Sequence, residues 1–499
     1  MKKQLRDRLY PLVTPLLSLF IILASVTLFY YIKGYRFDFQ THEISTTGIL
    51  SIDTIPSRSD LNINNKNYGK TPKSVTLLEG DYHLEIEKSG YHSWENTISI
   101  IKGKSTSIYP WLIADTIKEE NVFSSSQEID KNHIYQNDNS IFFTLYDDYE
   151  NTRSYEIWKL STTSSAWNFT ENPSRILSFT IDTTSAATFT VLPSPDSSTI
   201  LFSITTDTGK EIYLVDTDKE NLLGGLTPIT LNGFSNYSIF WSNSSTFLLL
   251  ESDADLFSYD IETGIKYLII KKDEDQLYTF TTDNTGLIYL MTGDQEDPLY
   301  TYSLSQYLVN GTLQKEVISS IYFFTSDEYI KTYRENSSEF SLPFRNSESS
   351  TKTSGKVISF SVHEDVNGMF IKTEYAGYWY DLETSRFILV SPCPTDLISV
   401  SSIQNQLIFK NSNETGVLTF KIKDGETNQY IGKRYIWDKD LADSSDIEWV
   451  KTWKNVLLTD NGKTYISDYD GENAVEIYSD VSIFSAAGND PSKVYISAV

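Results

Sequence analysis

The sequence predicts a mainly β protein with an N-terminal transmembrane helix, a small β-sandwich and then a β-propeller of seven or eight blades. Three observations support this prediction. They are a long uncharged apolar run near the N-terminus, a short segment crowded with turn residues, and a strand pattern that recurs through the rest of the chain. At 499 residues the chain is too long for one hydrophobic core, so several domains are expected.

Composition favours strands and argues against two classes of partner. Aromatic residues make up 14% of the chain, and aromatic and β-branched residues fit strands better than helices. The formal net charge of −26 argues against nucleic acid and broad contact with anionic lipid, since both need basic surfaces. The excess of acidic residues is interpreted as keeping the protein soluble. The alternative is that these residues bind cations or attract a basic partner. The one cysteine, Cys393, excludes an internal disulfide and is expected to be a buried, inert thiol.

The apolar run at residues 10–32 predicts a membrane span. It carries no charge, and about 20 residues suffice to cross a hydrocarbon core of about 30 Å. Tyr10 at one end and Tyr30 and Tyr31 at the other suit the two interfaces. The segment therefore predicts one transmembrane helix that anchors the protein in the cell membrane.

Two features distinguish this helix from a cleaved signal peptide. Its apolar run is longer than the signal-peptide core, and the small residues Ala24 and Ser25 lead into more apolar residues rather than a polar stretch. Four basic residues precede the span and only Lys33 and Arg36 follow closely. A single-pass signal-anchor is therefore expected, with residues 1–9 as a cytoplasmic tail and the bulk of the chain extracytoplasmic.

Residues 46–113, after a linker at 33–45, are predicted to form a small β-sandwich. The segment 48–55 alternates apolar and polar residues, Asn64 and Asn65 suit a two-residue hairpin turn, and Gly80 precedes a second alternating strand. The segment 95–112 supplies two more strands. Short strands with frequent turn residues predict a sandwich rather than a helical domain.

This segment resembles the PEGA domain. Its pattern is Pro, two spaced apolar residues, G-x-T-P, then L-x-x-G-x-Y-x-Φ-x-Φ and K-x-G-Y, where Φ is apolar. The residues that match are Pro56, Leu61, Ile63, Gly69, Thr71, Pro72, Leu78, Gly80, Tyr82, Leu84, Ile86, Lys88, Gly90 and Tyr91.

The departures from that family fall in two places. Arg58 and Ser59 stand where Gly-Ala is usual, and Asn64 and Asn65 replace Asp-Gly while keeping the turn chemistry. The resemblance implies an extracytoplasmic sandwich module of bacterial and archaeal envelopes, without shared catalytic residues. His83, Glu85 and Glu87 share one strand face, but three ligands along a flat strand give poor tetrahedral geometry, so a solvated face is expected.

Residues 131–499, after a linker at 114–130, are predicted to form the propeller. An aromatic strand followed by a polar or acidic turn recurs at spacings of about 40–48 residues, the period of a four-stranded blade, with one gap nearly twice as long. The strands are in 154–163, 211–221, 255–264, 298–306, 377–385, 416–426 and 462–472.

A second apolar strand precedes several of these units, and one of its turns carries a further resemblance. Ser194–Ser197, S-P-D-S, resembles the S-P-D-G turn of propellers related to periplasmic translocation proteins and WD repeats, with Ser197 in place of Gly. A blade between 311 and 355 follows from spacing alone, although a long loop is the alternative there. The strand at 492–499 is expected to close the ring against the first blade. A string of sandwich domains is the alternative architecture.

The sequence carries no recognisable catalytic motif. G-x-S-x-G, H-E-x-x-H, Walker and G-x-G-x-x-G patterns are all absent, and the five histidines are scattered. Paired carboxylates are uninformative among 67 acidic residues. We therefore expect no catalytic, cofactor-binding or metal site residues, no cofactor, and no enzyme activity.

Two further features have both a structural and a functional interpretation. The acidic turns 216–221 and 467–473 offer oxygen ligands but lack calcium-loop spacing, so they are interpreted as hairpin tips. The tryptophans are mostly expected in blade packing, although they suit a sugar-binding face. They include Trp158, Trp241, Trp379, Trp437 and Trp453.

The expected function is membrane-anchored extracytoplasmic binding or scaffolding at the bacterial cell envelope. In this hypothesis the sandwich is a spacer, and the propeller presents a loop face to an envelope protein or glycan. The alternative is an envelope hydrolase or lyase that uses propeller carboxylates. Asp and Glu residues clustered at one mouth of the central channel, with raised pKa values, would favour the alternative. A sensor is disfavoured because a tail of nine residues leaves no room for an output domain.

Overall fold

The computed structural model of the chain is mostly strand. It describes residues 15, 17–30, 35–37, 44–116, 123–137, 140–161, 173–207, 209–229, 237–273, 276–294, 299–324, 356–384, 386–402, 405–421, 431–438, 446–450, 455–460, 462–479, 481–487 and 494–498. The chain divides into two compact units. The first comprises Met1–Lys118 and Lys421–Lys433, and the second comprises Glu119–Phe420 and Arg434–Val499.

A helix covers residues 17–30, within the apolar run that the sequence singles out. Its side chains are mostly apolar and exposed, with Leu17, Phe20 and Leu28 each more than half accessible. Among the residues that are described, no helix has the length and hydropathy needed to cross a membrane. The predicted cytoplasmic tail at 1–9 lies outside the described residues.

The rest of the first unit is a sandwich of two four-stranded sheets. One has the order β1-β2-β5, with β8 pairing in parallel with β2, and the other has the order β4-β3-β6-β7. The strands are β1 (Tyr35–Phe37), β2 (Ile44–Ile52), β3 (Asp60–Ile63), β4 (Lys66–Lys70), β5 (Lys73–Leu78), β6 (Gly80–Glu87), β7 (Trp94–Ile100) and β8 (Ser105–Ile108).

The sandwich core follows the predicted alternation. Leu50 and Ile52 of β2 are buried while Ile49, which precedes them, is half exposed, as expected when successive side chains of a strand point to opposite faces. Leu84 and Ile86 of β6 are fully buried in the same cluster. The β3–β4 hairpin turns on two residues in the left-handed region, which confirms the predicted two-residue turn.

The second unit is a β-propeller built from consecutive, mainly antiparallel sheets. Sheet 1 contains β9 (Glu128–Asn137), β10 (Ser140–Asp148), β11 (Thr152–Ser161), β12 (Ser174–Asp182) and β16 (Asn221–Leu222), which pairs with β12; sheet 2 contains β13 (Thr188–Pro193), β14 (Thr199–Thr206) and β15 (Gly209–Asp216); sheet 3 contains β17 (Ser238–Trp241), β18 (Phe247–Glu251), β19 (Asp255–Asp260) and β20 (Lys266–Lys271).

Four further sheets repeat the same meander. Sheet 4 contains β21 (Gln276–Thr282), β22 (Ile288–Asp294), β23 (Leu299–Tyr307) and β24 (Leu313–Phe324); sheet 5 contains β25 (Val357–His363), β26 (Gly368–Thr373), β27 (Gly377–Asp381) and β28 (Arg386–Ser391); sheet 6 contains β29 (Asp396–Ser401), β30 (Gln406–Lys410), β31 (Thr415–Thr419) and β32 (Arg434–Ile436); sheet 7 contains β33 (Asp446–Trp449), β34 (Asn455–Asp460), β35 (Lys463–Asp468) and β36 (Val475–Ser479).

Two short 3₁₀ turns and one hairpin complete the described elements. The turns are Leu223–Gly225 and Glu364–Val366. The hairpin joins β37 (Val481–Ala487) and β38 (Val494–Ala498). Seven sheets and this two-stranded pair agree with the predicted seven or eight blades.

Each propeller sheet shares a hydrophobic cluster with the next along the chain. The second strand of a sheet supplies adjacent buried residues to the clusters on its two sides, because alternate side chains point to opposite faces. These pairs are Leu201 and Phe202, Phe247 and Leu248, Leu290 and Met291, Met369 and Phe370, and Ile408 and Phe409. Six such clusters join sheets 1 to 7 in sequence.

The predicted blade between 311 and 355 falls mostly outside the described residues: β24 completes sheet 4, β25 begins sheet 5, and 325–355 are not described. The expectation for the C-terminal strand is wrong. The C-terminal strand β38 pairs with β37 rather than with sheet 1. A strand finds its immediate neighbour in sequence at a lower entropic cost of loop closure than a partner several hundred residues away.

Candidate binding site on the first strands of the propeller

The first strands of the propeller sheets lie beside one another. β9 contacts β13, β21 contacts β25, and β29 contacts β33. In a propeller these strands surround the central channel. Side chains from several sheets therefore converge there, and this is where a ligand would meet more than one sheet.

A cavity of about 320 Å³ opens among the first strands of sheets 1, 2 and 3. Phe240 forms part of its wall, is 43% exposed and meets the edge of Phe280 from β21, with ring centroids 5.7 Å apart. The lining residues are Tyr135, Gln136, Asn137, Leu192, Pro193, Ile239, Phe240 and Trp241. Aromatic and aliphatic groups therefore dominate the cavity wall.

Much of the polar lining is already hydrogen-bonded within the protein. The Asn137 amide donates to the Ser194 carbonyl at 2.9 Å and accepts from the Ser197 hydroxyl at 2.6 Å. Trp241 Nε1 donates to the Leu192 carbonyl at 2.7 Å. These bonds fix the side chains, and they leave mainly ring faces and aliphatic carbons for a ligand.

Two more lining residues are held in place by bonds outside the cavity. Gln136 Nε2 lies 3.0 Å from each carboxylate oxygen of Glu448, on the first strand of sheet 7. Burial raises the pKa of Tyr135, an effect that a hydrogen bond with the Val191 backbone partly offsets. Tyr135 is therefore a neutral phenol at physiological pH, and the cavity is suited to an apolar or aromatic group.

The structure separates the five tryptophans by role. Trp379 and Trp437 are buried, which fits the predicted blade packing. Trp158 packs on Phe123 at 5.2 Å between centroids. Of the seven tryptophans in the described ranges, Trp241 is the one that lines the cavity, and the predicted Trp453 lies outside those ranges.

The acidic turns are organised by their own hydrogen bonds. Asp216 accepts from the Asp218 backbone N–H at 2.9 Å and pairs with Lys219 at 2.9 Å, and these contacts lower the pKa of Asp216. In the second turn the Asp468 carboxylate accepts from Asn455 and Asn473, each at 2.9 Å. The other carboxylates of the first turn pair with sheet 1: Glu220 accepts from Arg175 Nε at 2.9 Å, and Asp218 lies 3.9 Å from Lys159 Nζ. In both turns the carboxylates are occupied by groups of the protein itself, which fits structural turns.

The sandwich strand β6 carries the third set of candidate ligands. His83 lies 3.7 Å from Glu95 on the neighbouring strand, and Glu85 accepts from Asn62 at 3.2 Å. His83 and Glu87 are exposed. Within the described part of the chain, no group of three or more His, Cys, Asp or Glu side chains is arranged to hold a metal ion.

Sequence reasoning missed most of the cavity. Of its lining, only Trp241 was singled out, because the repeat pattern marks second and third strands whereas the cavity is built from first strands. The aromatic run Tyr237–Trp241 that leads into β17 is the one local signal that pointed to this wall.

Comparison with known proteins identifies one domain. Residues 47–112 match the PEGA domain. A search of curated proteins finds no match.

Solved structures with some likeness to the chain are propeller-containing proteins. Prolyl oligopeptidase B from Galerina marginata is 12% identical with a TM-score of 0.39, covering 73% of this chain and 52% of its own. Dipeptidyl peptidase 4 from Porphyromonas gingivalis is 10% identical with a TM-score of 0.37, covering 81% and 60%. An oligogalacturonate lyase in complex with manganese is 9% identical with a TM-score of 0.36, covering 71% and 93%.

At these identities and TM-scores the solved structures carry no argument about activity, and the propeller architecture rests on the seven consecutive sheets themselves. The sandwich has independent support from its matched segment, its hairpin turn and its buried core. The chain thus contains a PEGA domain, followed by a β-propeller.

Proposed function

We propose that this protein is a membrane-anchored binding or scaffold protein of the bacterial cell envelope, whose propeller presents the first-strand cavity to a protein or glycan partner. A PEGA domain together with a β-propeller fits an extracellular binding or scaffold role. The observation that carries the proposal is the cavity itself. Its wall combines exposed aromatic carbon with polar groups that are already bonded, which suits recognition more than chemistry.

The anchor part of this proposal rests on the N-terminal helix. Two of its hydroxyls are satisfied within the helix, since Ser25 donates to the Ile21 carbonyl and Thr27 to the Leu23 carbonyl, both at 2.8 Å. Internal hydrogen bonding of polar groups is what a lipid environment demands. In the proposal, the helix spans the cell membrane once with the N-terminus in the cytoplasm, and the PEGA domain separates it along the chain from the propeller.

The partner in this proposal contributes an apolar or aromatic group to the cavity. An aromatic side chain of a protein and the apolar face of a sugar ring both fit this description. Nucleic acid is disfavoured by the net charge of −26. An envelope hydrolase or lyase remains the alternative, and it requires carboxylates that reach a substrate.

The test compares two truncations of exposed apolar residues in the full-length protein. Phe240→Ala removes the exposed cavity wall, and Leu268→Ala, 49% exposed on β20, is the matched control outside the cavity. Each protein is crosslinked in membranes from its own cells and the captured material is identified. We expect one saturable partner that wild type and Leu268→Ala retain and that Phe240→Ala loses at least tenfold.

Equal capture by all three proteins would contradict the assignment of this cavity. Turnover of a glycan or peptide in the same membranes, without a retained partner, would favour the hydrolase or lyase. Protease added to intact cells tests the orientation independently, because the proposal expects the propeller to be digested while cytoplasmic proteins survive.

A further inference from the structure

A buried aspartate lies at the junction between sheets 4 and 5. Asp283, in the turn between β21 and β22, is only 3% exposed. Its Oδ1 accepts three hydrogen bonds, from the Thr285 backbone N–H at 2.8 Å, the Thr285 hydroxyl at 2.9 Å and the Leu287 backbone N–H at 2.8 Å. These bonds fix the orientation of the carboxyl group, so the position of its second oxygen is fixed as well.

That second oxygen has no partner with an N–H or a hydroxyl. Asp283 Oδ2 is buried, and no donor reaches it among the described residues. The Glu364 carboxyl, from the 3₁₀ turn of sheet 5, accepts from Tyr289 of β22 and lies close enough to the Asp283 carboxyl for the two to interact. Two ionised carboxylates are both acceptors, so this contact is a hydrogen bond only when one of them carries a proton.

The surrounding hydrogen bonds decide which carboxyl carries it. Gln306 Nε2 donates to the Tyr289 oxygen at 2.8 Å, so the Tyr289 hydroxyl hydrogen is directed to Glu364 Oε1. This leaves the other Glu364 oxygen for Asp283, whose Oδ1 already accepts three bonds. We propose that Glu364 carries a proton and donates it to Asp283 Oδ2, so that a shared proton joins sheets 4 and 5 and its loss replaces attraction with repulsion.

The charged and titratable groups around this joint agree with the assignment. Glu364 as a whole residue is exposed, but partial desolvation of its carboxyl is the largest cause that raises the pKa of this group. The neighbouring Asp283 raises it further, while the hydrogen bond from Tyr289 opposes both. The same turn holds His363 and Asp365. Burial lowers the pKa of His363, with Asp365 partly opposing it, and its Nε2 lies 2.9 Å from the Ser361 hydroxyl.

The two titrating groups act on stability with opposite signs. A carboxyl with a raised folded pKa contributes stability that is fully present below the pKa of an unfolded glutamate, about 4.3, and is lost as pH rises through the folded value. A histidine with a lowered folded pKa contributes stability that is present above about pH 6.5 and is lost as pH falls. The experiment must therefore isolate Glu364 from His363.

Glu364→Gln isolates it in the full-length protein. The glutamine amide donates to Asp283 Oδ2 and its oxygen accepts from Tyr289 at every pH, while His363 is unchanged. Thermal unfolding is followed from about pH 4 to pH 8 for both proteins. We expect the wild-type midpoint to fall relative to Glu364→Gln by about 1–3 °C as pH rises, since losing one hydrogen bond to a buried carboxyl moves the midpoint of a large domain by only a few degrees.

Two further variants complete the design. In Asp283→Asn the amide oxygen can still accept the hydrogen bonds of the turn, and the amide nitrogen can donate to Glu364. This variant should therefore also remove the fall in the unfolding midpoint with rising pH. Asp365 acts on the pKa of His363, so its variant is compared in pairs. Glu364→Gln in an Asp365→Asn background should still remove the fall in the midpoint, because Asp365 does not take part in the shared proton. Infrared difference spectra should show a protonated-carboxyl band in wild type that is absent from Glu364→Gln.

Parallel pH curves for wild type and Glu364→Gln would overturn the proposal. So would the absence of the protonated-carboxyl band at a pH where free glutamate is ionised. Adding calcium chloride at neutral pH distinguishes a shared proton from a bound cation. If calcium raised the unfolding midpoint of wild type but not of Glu364→Gln, Asp283 and Glu364 would be a cation site instead.

Discussion

Arg58 occupies a backbone conformation that suits glycine. Its φ is 65°, and its N–H donates to the Thr71 carbonyl at 3.0 Å. Next to it, Ser59 is completely buried; its N–H donates to the Thr71 hydroxyl at 3.1 Å and its own hydroxyl donates to the Pro56 carbonyl at 2.8 Å. Arg58 and Ser59, which stand where the PEGA pattern has Gly-Ala, therefore differ in their effect. The Ser59 side chain adds hydrogen bonds, whereas the Cβ of Arg58 strains the backbone.

We predict that Arg58→Gly stabilises the PEGA domain. Removing Cβ from a left-handed residue relieves about 1–2 kcal/mol, and the greater freedom of glycine in the unfolded chain offsets up to about 1 kcal/mol of this. We expect the free energy of unfolding to rise by about 0.5–1 kcal/mol, measured as slower amide hydrogen exchange in β3 and β4. Ser57→Gly, at a neighbouring residue without positive φ, is the control and should speed exchange; equal effects of both variants would refute the strain.

At the scale of elements, glycines on second strands make room for aromatic rings on third strands. A Cβ at Gly293 would lie 2.4 Å from the Tyr302 ring, and one at Gly368 would lie 1.9 Å from Trp379. Both rings also reach the next sheet, since Tyr302 Oη accepts from the Val357 N–H at 2.9 Å and Trp379 stacks on Phe420 at 4.4 Å. Ring and glycine thus together secure a sheet junction.

We predict that Gly293→Ala and Gly368→Ala each destabilise the propeller by about 1–3 kcal/mol, the range for overpacking a core. Chemical denaturation of the full-length protein measures this. Gly224→Ala, where an added Cβ meets nothing within 4 Å, is the control and should change little. Unchanged midpoints for both core variants would mean that the rings move aside freely.

The same contrast between strands explains what the sequence could predict. Second and third strands are densely buried, as in β18 and β27, so their apolar pattern is strong. First and fourth strands are half exposed, as in β17 and β32, and their sequences carry little pattern. The blade count and the PEGA domain could therefore be predicted, but the cavity could not, because its wall consists of first strands.

Glu364 and Asp283 show a second limit of sequence reasoning. They lie 81 positions apart (364 − 283) in a chain with 67 acidic residues, so no local pattern distinguishes them. Only the packing of sheet 4 against sheet 5 brings the two carboxyls together. Patterns within one strand can predict an element, whereas contacts between sheets follow from the assembled fold.

For the molecule as a whole, the contact between Gln136 and Glu448 links sheet 1 to sheet 7 across 312 positions. We predict a coupling free energy of about 0.5–1 kcal/mol from a double-mutant cycle of Gln136→Ala and Glu448→Ala, because the bond is to a charged group but exposed. Gln127 and Asp147, bonded at 3.0 Å within sheet 1, form the control pair.

The two pairs differ in what they hold together. Loss of the Gln136–Glu448 bond should speed amide exchange in both β9 and β33, whereas loss of the Gln127–Asp147 bond should affect sheet 1 alone. Faster exchange confined to sheet 1 in both cases would show that this bond does not join the ends of the propeller.

The distance between Gln136 and Glu448 in the chain also has a consequence for biogenesis. Ribosomes add about 5–20 residues per second, so Glu448 follows Gln136 by about 15–60 s. During that interval the first sheet has been synthesised while its partner in the seventh does not yet exist. A chaperone that shields exposed apolar strands would act in this window, and a nascent chain stalled before residue 448 would be an early target for degradation.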